Sequence, residues 1–220
     1  MSSDVKTRRR YQSVRRQEQA AQTRRDVMAA AGKLFRERGY SATSMPVIAA
    51  EAGVVVETIY RSFGSKAGLF RAVIESAIAG GPTRADVPVD ERPAIRAVID
   101  EQDPRRQLEL YAATQPGIHR RSGPLLRALR DARSADNELS ALWTEMEELR
   151  LRGQGRMVGL LGERGALRDG LSVGEARDIA WTLCSLAVHD QLVLERGWSS
   201  DSYRDWLAVT LEAALLKRDC

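Results

Sequence analysis

Cysteine is nearly absent from this chain. Only Cys184 and Cys220 occur among 220 residues, too few for a disulfide framework, and both read as free thiols in a reducing, cytoplasmic compartment. Histidine is equally scarce. His119 and His189 stand singly, with no second His or Cys at ligand spacing, so no metal site is expected. No apolar run approaches the roughly 18 residues that cross a bilayer, and the N-terminus lacks the apolar segment of a secretory signal. Strand-type alternation is missing too, while Ala, Leu, Arg and Glu dominate and favour helices. No Ser-His-Asp arrangement with a nucleophile elbow is present. Residues 153–159 superficially resemble a Gly-rich dinucleotide loop, but the third glycine is misplaced and no strand precedes them. They read as part of a long helix in which glycines permit a bend or close packing. No catalytic residue, cofactor or membrane partner is expected, and an all-α binding protein is what remains.

What is present is basic charge at one end. Residues 1–66 carry 13 Lys and Arg against 6 Asp and Glu, leaving 21 against 24 for the rest of the chain. A basic module on a nearly neutral body is the electrostatic footprint of polyanion binding. Membrane attachment through the same segment would need apolar anchors, and Val5, Tyr11 and Val14 are poor ones.

Residues 1–22, basic and polar, read as a flexible arm. A first helix is expected from Thr23, with Asp26 completing a capping pair. Val27, Ala31, Leu34 and Phe35 form its buried stripe and Gly39 its stop. Thr43 or Ser44 suits the N-cap of a second helix, with Pro46 tolerated in its first turn. A third helix follows over residues 55–63, and Ser65 caps a fourth bearing Leu69, Phe70, Val73 and Ile74. Residues 80–93 read as a linker. Long helices are expected beyond it: residues 104–120, bent or split at Pro116 and Gly117, then a short one around Leu125, and residues 137–163, 173–196 and 202–216.

The decisive segment runs from Ile48 to Tyr60. Ala49 is small enough for two short helices to cross closely, and Gly53 takes the tight turn between them. Val54 and Ile59 plug the crossing. That leaves Val55, Val56, Glu57, Tyr60 and Arg61 on the outer side of a helix suited to the major groove.

With these residues in place, positions 22–75 resemble the DNA-binding domain of the TetR family of transcriptional regulators. Ala31, Leu34, Phe35, Gly39, Tyr40, Thr43, Ser44, Ile48, Ala49, Ala52, Gly53, Val54, Tyr60, Phe63, Ser65, Lys66, Leu69 and Phe70 carry the resemblance. It implies a three-helix DNA-binding domain (residues 23–80) joined by its fourth helix to a helical effector-binding and dimerisation domain (residues 83–220). It also implies a homodimer on a palindromic operator of double-stranded DNA, most often a repressor released by a small-molecule effector. By the resemblance Thr43, Ser44, Tyr60 and Lys66 contact phosphate, which sets register without reading sequence. Base reading falls to Val55, Val56, Glu57 and Arg61. The two valines depart from the polar or basic residues common in the family, and Pro46 removes a polar position as well. Valines cannot hydrogen-bond but can pack on thymine methyls; Val55 equally suits a half-buried place at the helix start.

The C-terminal part has no family-wide motif. Large or polar groups on apolar helix faces are the candidate ligand-binding residues: Tyr111, Gln115, Trp143, Met146, Met157, Trp181, Cys184 and His189. Singly each is ordinary core material; together they suit a small, largely apolar molecule. The last two helices carry Leu183, Leu186, Leu192, Leu194, Trp206, Leu207, Val209, Leu211 and Leu215, and the resemblance implies that these helices pair with their copies across an isologous two-fold interface. A second class of function also fits: a helical interaction or sequestering module whose helix-turn-helix no longer binds DNA.

Overall fold

The computed structural model describes residues 2–217, with side chains from Arg15 onward; Cys220 and its expected free thiol lie outside the described residues. The described residues are helical throughout apart from turns and one isolated antiparallel bridge, Leu167 to Leu216. Two compact units divide between Glu75 and Ser76.

The first unit is built from α1 (Ser2–Arg38), α2 (Met45–Ala52), α3 (Val56–Phe63) and most of α4 (Lys66–Ala79). α1 corrects the expected start at Thr23, since the helix passes through that residue without a break. The physical reason is local. Asp26 accepts from Gln22 Nε2 at 2.7 Å, one turn earlier, so the carboxylate that would complete a cap with Thr23 is already engaged. The Arg, Gln, Glu and Ala residues before it are good helix formers. Gly39 ends α1 at φ 76°. Val27, Ala31, Leu34 and Phe35 are buried, as the stripe predicts. Phe35, Tyr40 and Phe70 pack as a ring triad, with centroids 4.6, 5.1 and 5.8 Å apart.

The second unit holds a short turn of helix, α5 (Pro82–Ala85), a 3-10 turn Val89–Glu91, and α6 (Pro93–Asp100). Much of the expected linker is therefore ordered, and α6 is a helix that the local pattern did not announce. α7 (Pro104–Ala132) runs unbroken through Pro116 and Gly117, so of the expected bend or split the split does not occur. Proline inside a helix forfeits the bond to the carbonyl four residues back. Pro116 and Pro124 are nevertheless accommodated, because Leu108, Ala112, Leu125 and Leu129 bury the helix on both sides of them. α8 (Asn137–Glu163) matches the expected bounds, with Asp136 capping the Glu138 and Leu139 amides. Residues 173–196 form not one helix but two pieces. α9 (Val173–Leu183) stops at Cys184, and the Ser185 hydroxyl caps α10 (Leu186–His189) by accepting from Val188 N–H. A π-helical turn, Asp190–Glu195, follows directly, and α11 (Ser200–Leu215) closes the unit. α7 packs along α11 and α8 along α9. Their core is made by Leu108, Val158, Leu161, Ala180, Leu207 and Leu211 among others.

Candidate nucleic-acid interface

The turn between α2 and α3 carries the candidate interface. Gly53 sits at φ 67°, ψ 32°, a left-handed conformation that costs a side-chain-bearing residue about 1–2 kcal/mol. Its N–H and that of Val54 close the end of α2 on the carbonyls of Ala50 and Ala49. Inward, Ile48, Ala49 and Ile59 are fully packed. Val55, as the N-cap of α3, has no side-chain acceptor for the first amides of the helix, so those donors face outward at the end where a helix attracts anions.

The outer face of α3 carries the expected groove residues together. Val55 is 64% exposed and Tyr60 50%, and Glu57 and Arg61 are exposed beside them. The two valines differ, because Val56 is half-buried. The exposed apolar surface of this face is therefore centred on Val55, and the half-buried alternative weighed for Val55 falls to its neighbour.

The phosphate candidates separate in the same way. Ser44 is exposed, and its hydroxyl makes no cap to α2. Thr43 is fully buried: its hydroxyl lies 2.8 Å from the Gly39 carbonyl and 3.3 Å from that of Leu34. Its side chain ties α1 to the approach of α2 and is turned away from solvent, which corrects the expectation of a hydroxyl at the surface. At the start of α4, Ser65 accepts from Gly68 N–H at 3.0 Å as the capping signal requires. The Lys66 ammonium stands 4.0 Å from the centroid of the Tyr40 ring, a cation–π contact that holds a positive charge at this corner. Arg24 braces α3 from α1, donating to the Ser62 carbonyl at 2.7 Å with its guanidinium over the Phe63 ring. Lys33 and Glu51 pair at 2.7 Å between α1 and α2, which holds the Glu51 carboxyl below its usual range.

The ligand candidates lie in the second unit. Tyr111, Met157 and Cys184 join one buried cluster, and burial pushes the Cys184 thiol up to about 12, so it is an inert neutral group. Gln115 is buried on the same face of α7 as Tyr111, one turn on. His189 is buried and stacks on His119 with ring centroids 4.6 Å apart. Trp143, Met146 and Trp181 lie outside that cluster. Trp143 is covered by the Arg133 guanidinium and Trp181 by that of Arg150. Three residues that sequence reasoning did not place here join the polar interior: His119, Gln154, which accepts from the Tyr111 hydroxyl, and Tyr203. His119 had a signal, since it follows Gln115 by four residues on one helix face. The other two become neighbours only through tertiary packing.

Among the described residues no helix is long and apolar enough to cross a membrane, and no three His, Cys, Asp or Glu side chains are grouped to hold a metal ion. Residues 27–73 match the family of bacterial regulatory proteins described as tetR family. No curated protein matches the sequence. Among solved structures, NalD of Pseudomonas aeruginosa, the secondary repressor of the MexAB-OprM multidrug efflux pump, is similar at a TM-score of 0.68 and 23% identity, over 91% of this chain and all of that one. A Mesorhizobium loti protein assigned to the TetR family is similar at 0.67 and 21% identity, over 88% of this chain and 95% of the other. FadR of Bacillus subtilis, in complex with stearoyl-CoA, is similar at 0.66 and 18% identity, over 84% and 96%. Residues 27–73 therefore belong to the TetR family of bacterial regulatory proteins, and the chain as a whole has that family's all-helical fold.

Proposed function

We propose that this protein is a cytoplasmic, ligand-responsive transcriptional repressor that acts by binding and not by catalysis. It holds a palindromic operator as a homodimer and is released by a small, largely apolar molecule. Residues 1–22 serve as a basic arm, residues 23–80 as the DNA-binding domain and residues 83–220 as the effector-binding and dimerisation domain. The observation that carries this reading is the α2–Gly53–α3 turn, which buries Ile48, Ala49 and Ile59 and leaves Val55, Glu57, Tyr60 and Arg61 outside. Ser44, the first amides of α2 and α3, Tyr60 and Lys66 anchor phosphates; Val55, Glu57 and Arg61, with Val56 behind them, read bases. On α11 and the turn before it, Val209 and Leu194 are exposed apolar residues that support a two-fold contact there.

The test is binding of the purified chain to the DNA upstream of its own coding region, by gel shift and footprinting at physiological salt. Protection of one inverted repeat, by a species that light scattering shows to be a dimer, is the expected result. Binding that is equal on scrambled DNA and vanishes with salt would assign the chain to the sequestering class instead.

A further inference from the structure

One face of α7 is polar from Gln107 to Ser122. Gln107, Tyr111, Gln115, His119 and Ser122 follow one another at helical spacing, and all are buried. Most find partners within the chain. Gln107 donates to the Val98 carbonyl and accepts from Arg164. The Tyr111 hydroxyl reaches Gln154, Gln115 donates to Thr114, and the Ser122 hydroxyl donates to the Ile118 carbonyl. His119 breaks the pattern. The Cys184 carbonyl gives its ring a weak backbone contact, but neither ring nitrogen makes a hydrogen bond of ordinary geometry, and the hydroxyl of Tyr203, fully buried on α11, makes none either. Buried polar atoms without partners are rare in native proteins. Here they sit on neighbouring rings, since His119 stacks on His189 at 4.6 Å and the Tyr203 ring stands edge-on to His119 at 6.1 Å and to His189 at 5.1 Å.

The charges around this point decide what could satisfy it. Arg127 is committed to Asp190 at 2.8 Å, and His189 Nδ1 lies 3.3 Å from the same carboxylate. Arg150 is committed to Glu147 at 2.6 Å and to the Trp181 carbonyl. An anionic head brought here would meet cations that are already paired, and a cationic head a carboxylate that is already shared. Either would be buried without a counter-charge of its own, which is strongly disfavoured. Burial, together with the charges of His189 and Arg150, pushes the His119 imidazole down to about 3. The ring is therefore neutral, with one N–H and one lone pair, and the Tyr203 hydroxyl also has one proton to give and lone pairs to receive. A hydroxyl has the complementary pattern; a carboxylate has no proton to give and a quaternary ammonium makes no hydrogen bond. Beside this polar point the wall is apolar: Cys184 and Tyr111 belong to the same core as Tyr203, and Trp206 stacks on Tyr203 at 6.1 Å.

We propose that His119 and Tyr203, with His189 stacked behind, hold the polar head of an uncharged hydroxylated effector, an alcohol or phenol whose apolar body lies against the core between α7 and α11. This rests on the reading of the second unit as the effector-binding part of the chain. It narrows the ligand class and adds two residues that sequence reasoning did not assign to the site.

The test uses the full chain free of DNA and two pairs of probes with matched bodies: phenol against benzoate, and 1-naphthol against 1-naphthoate. Thermal shift and calorimetry should show the hydroxyl member of each pair binding and the carboxylate failing to. Tyr203→Phe removes one oxygen and should weaken 1-naphthol at least about tenfold. The variant's own Tm should hold or rise, because an unpartnered group has gone. His119→Asn, which keeps a donor and an acceptor, should retain more binding than His119→Phe. On 15N-labelled wild-type protein the His119 ring resonances should move on adding phenol, a readout that needs no variant to fold. A core satisfied only by buried water gives the opposite set: no shift with either hydroxyl probe, or the same affinity in Tyr203→Phe, overturns the proposal. Preference for the carboxylates overturns it as well. Operator binding, measured separately, bears on the regulator reading alone. A chain that takes the hydroxyl probes but binds no DNA keeps this site and loses that reading; one that binds DNA but takes no hydroxyl probe does the reverse.

Discussion

The two units treat polar atoms in opposite ways. In the first, the buried set from Val27 to Ile74 is apolar except for Thr43, whose hydroxyl is held between the carbonyls of Leu34 and Gly39. Its chemistry is carried on the outside, on α3 and at the helix starts. In the second, Gln107, Gln115, His119, Ser122, Gln154 and His189 are all buried, and the His119 ring nitrogens make no hydrogen bond of ordinary geometry. A small satisfied core makes a rigid platform, which positions groove-facing side chains. A core that retains unmet polar groups is less stable than an apolar one of the same shape. The first unit thus carries its polar groups on its surface, and the second keeps several of them inside.

The widest test of that contrast is pH. His119 has a folded value near 3 against 6.5 for the free side chain. Between these values the unfolded chain binds a proton that the folded one does not. The contribution to stability is therefore complete above about pH 6.5 and is lost as pH falls toward 3, on the order of 5 kcal/mol in all. Urea midpoints at pH 7 and pH 4 should draw apart in the wild type and much less in His119→Phe. Parallel profiles for the two proteins would mean that the α7 interior is wetter than the structure shows, and the contrast between the units would fade.

The apolar platform has its own weak point in the ring triad. Phe70 is fully buried, with Phe35 at 4.6 Å and Tyr40 at 5.1 Å. Phe70→Ala should cost about 3–5 kcal/mol. It should also release the corner at which Lys66 is held over Tyr40. Chemical denaturation measures the first effect, and loss of operator affinity out of proportion to the unfolded fraction measures the second. A destabilised variant that still binds DNA fully when folded would show that the corner does not depend on the triad.

The same division explains what could be read from the residues. Gly39, Gly53 and Ser65 were legible because each is settled by a backbone angle or a bond within a few residues. Thr43 misled for the converse reason: its type suits an N-cap, but carbonyls brought near by the end of α1 claim its hydroxyl. The start of α1 turned on whether Asp26 would bond Thr23 or Gln22, and it bonds Gln22. α7 stays whole through Pro116 because of packing on both sides, which no window of sequence contains. Of the polar interior, Tyr111 and Gln115 stood out as polar groups on an apolar face. Tyr203 did not, because what distinguishes it is a missing partner, and that is visible only once α7 and α11 are in place.

A smaller effect is expected at the turn. An added Cβ at Gly53 would meet no atom within 4 Å, so the cost of Gly53→Ala is the left-handed backbone alone, about 1–2 kcal/mol. The Tm should fall by a few degrees while the folded variant keeps its operator preference. A much larger loss of DNA affinity than of stability would show that the angle between α2 and α3, and not only its cost, depends on glycine.

The smallest expected effect is the most specific. Val55 is 64% exposed on the outer face of α3, and its side chain has no polar atom with which to read a base. Packing one methyl group against another contributes less than about 1 kcal/mol, so Val55→Ser should leave stability unchanged and weaken operator binding only several-fold. Replacing single thymines of the half-site by uracil, which removes one methyl each, should weaken the wild type by a similar factor at one position. Val55→Ser should be indifferent to that same replacement. Equal sensitivity of both proteins at every position would place the thymine contact elsewhere, and the exposed valine would then be a spacer that lets Glu57 and Arg61 reach the bases.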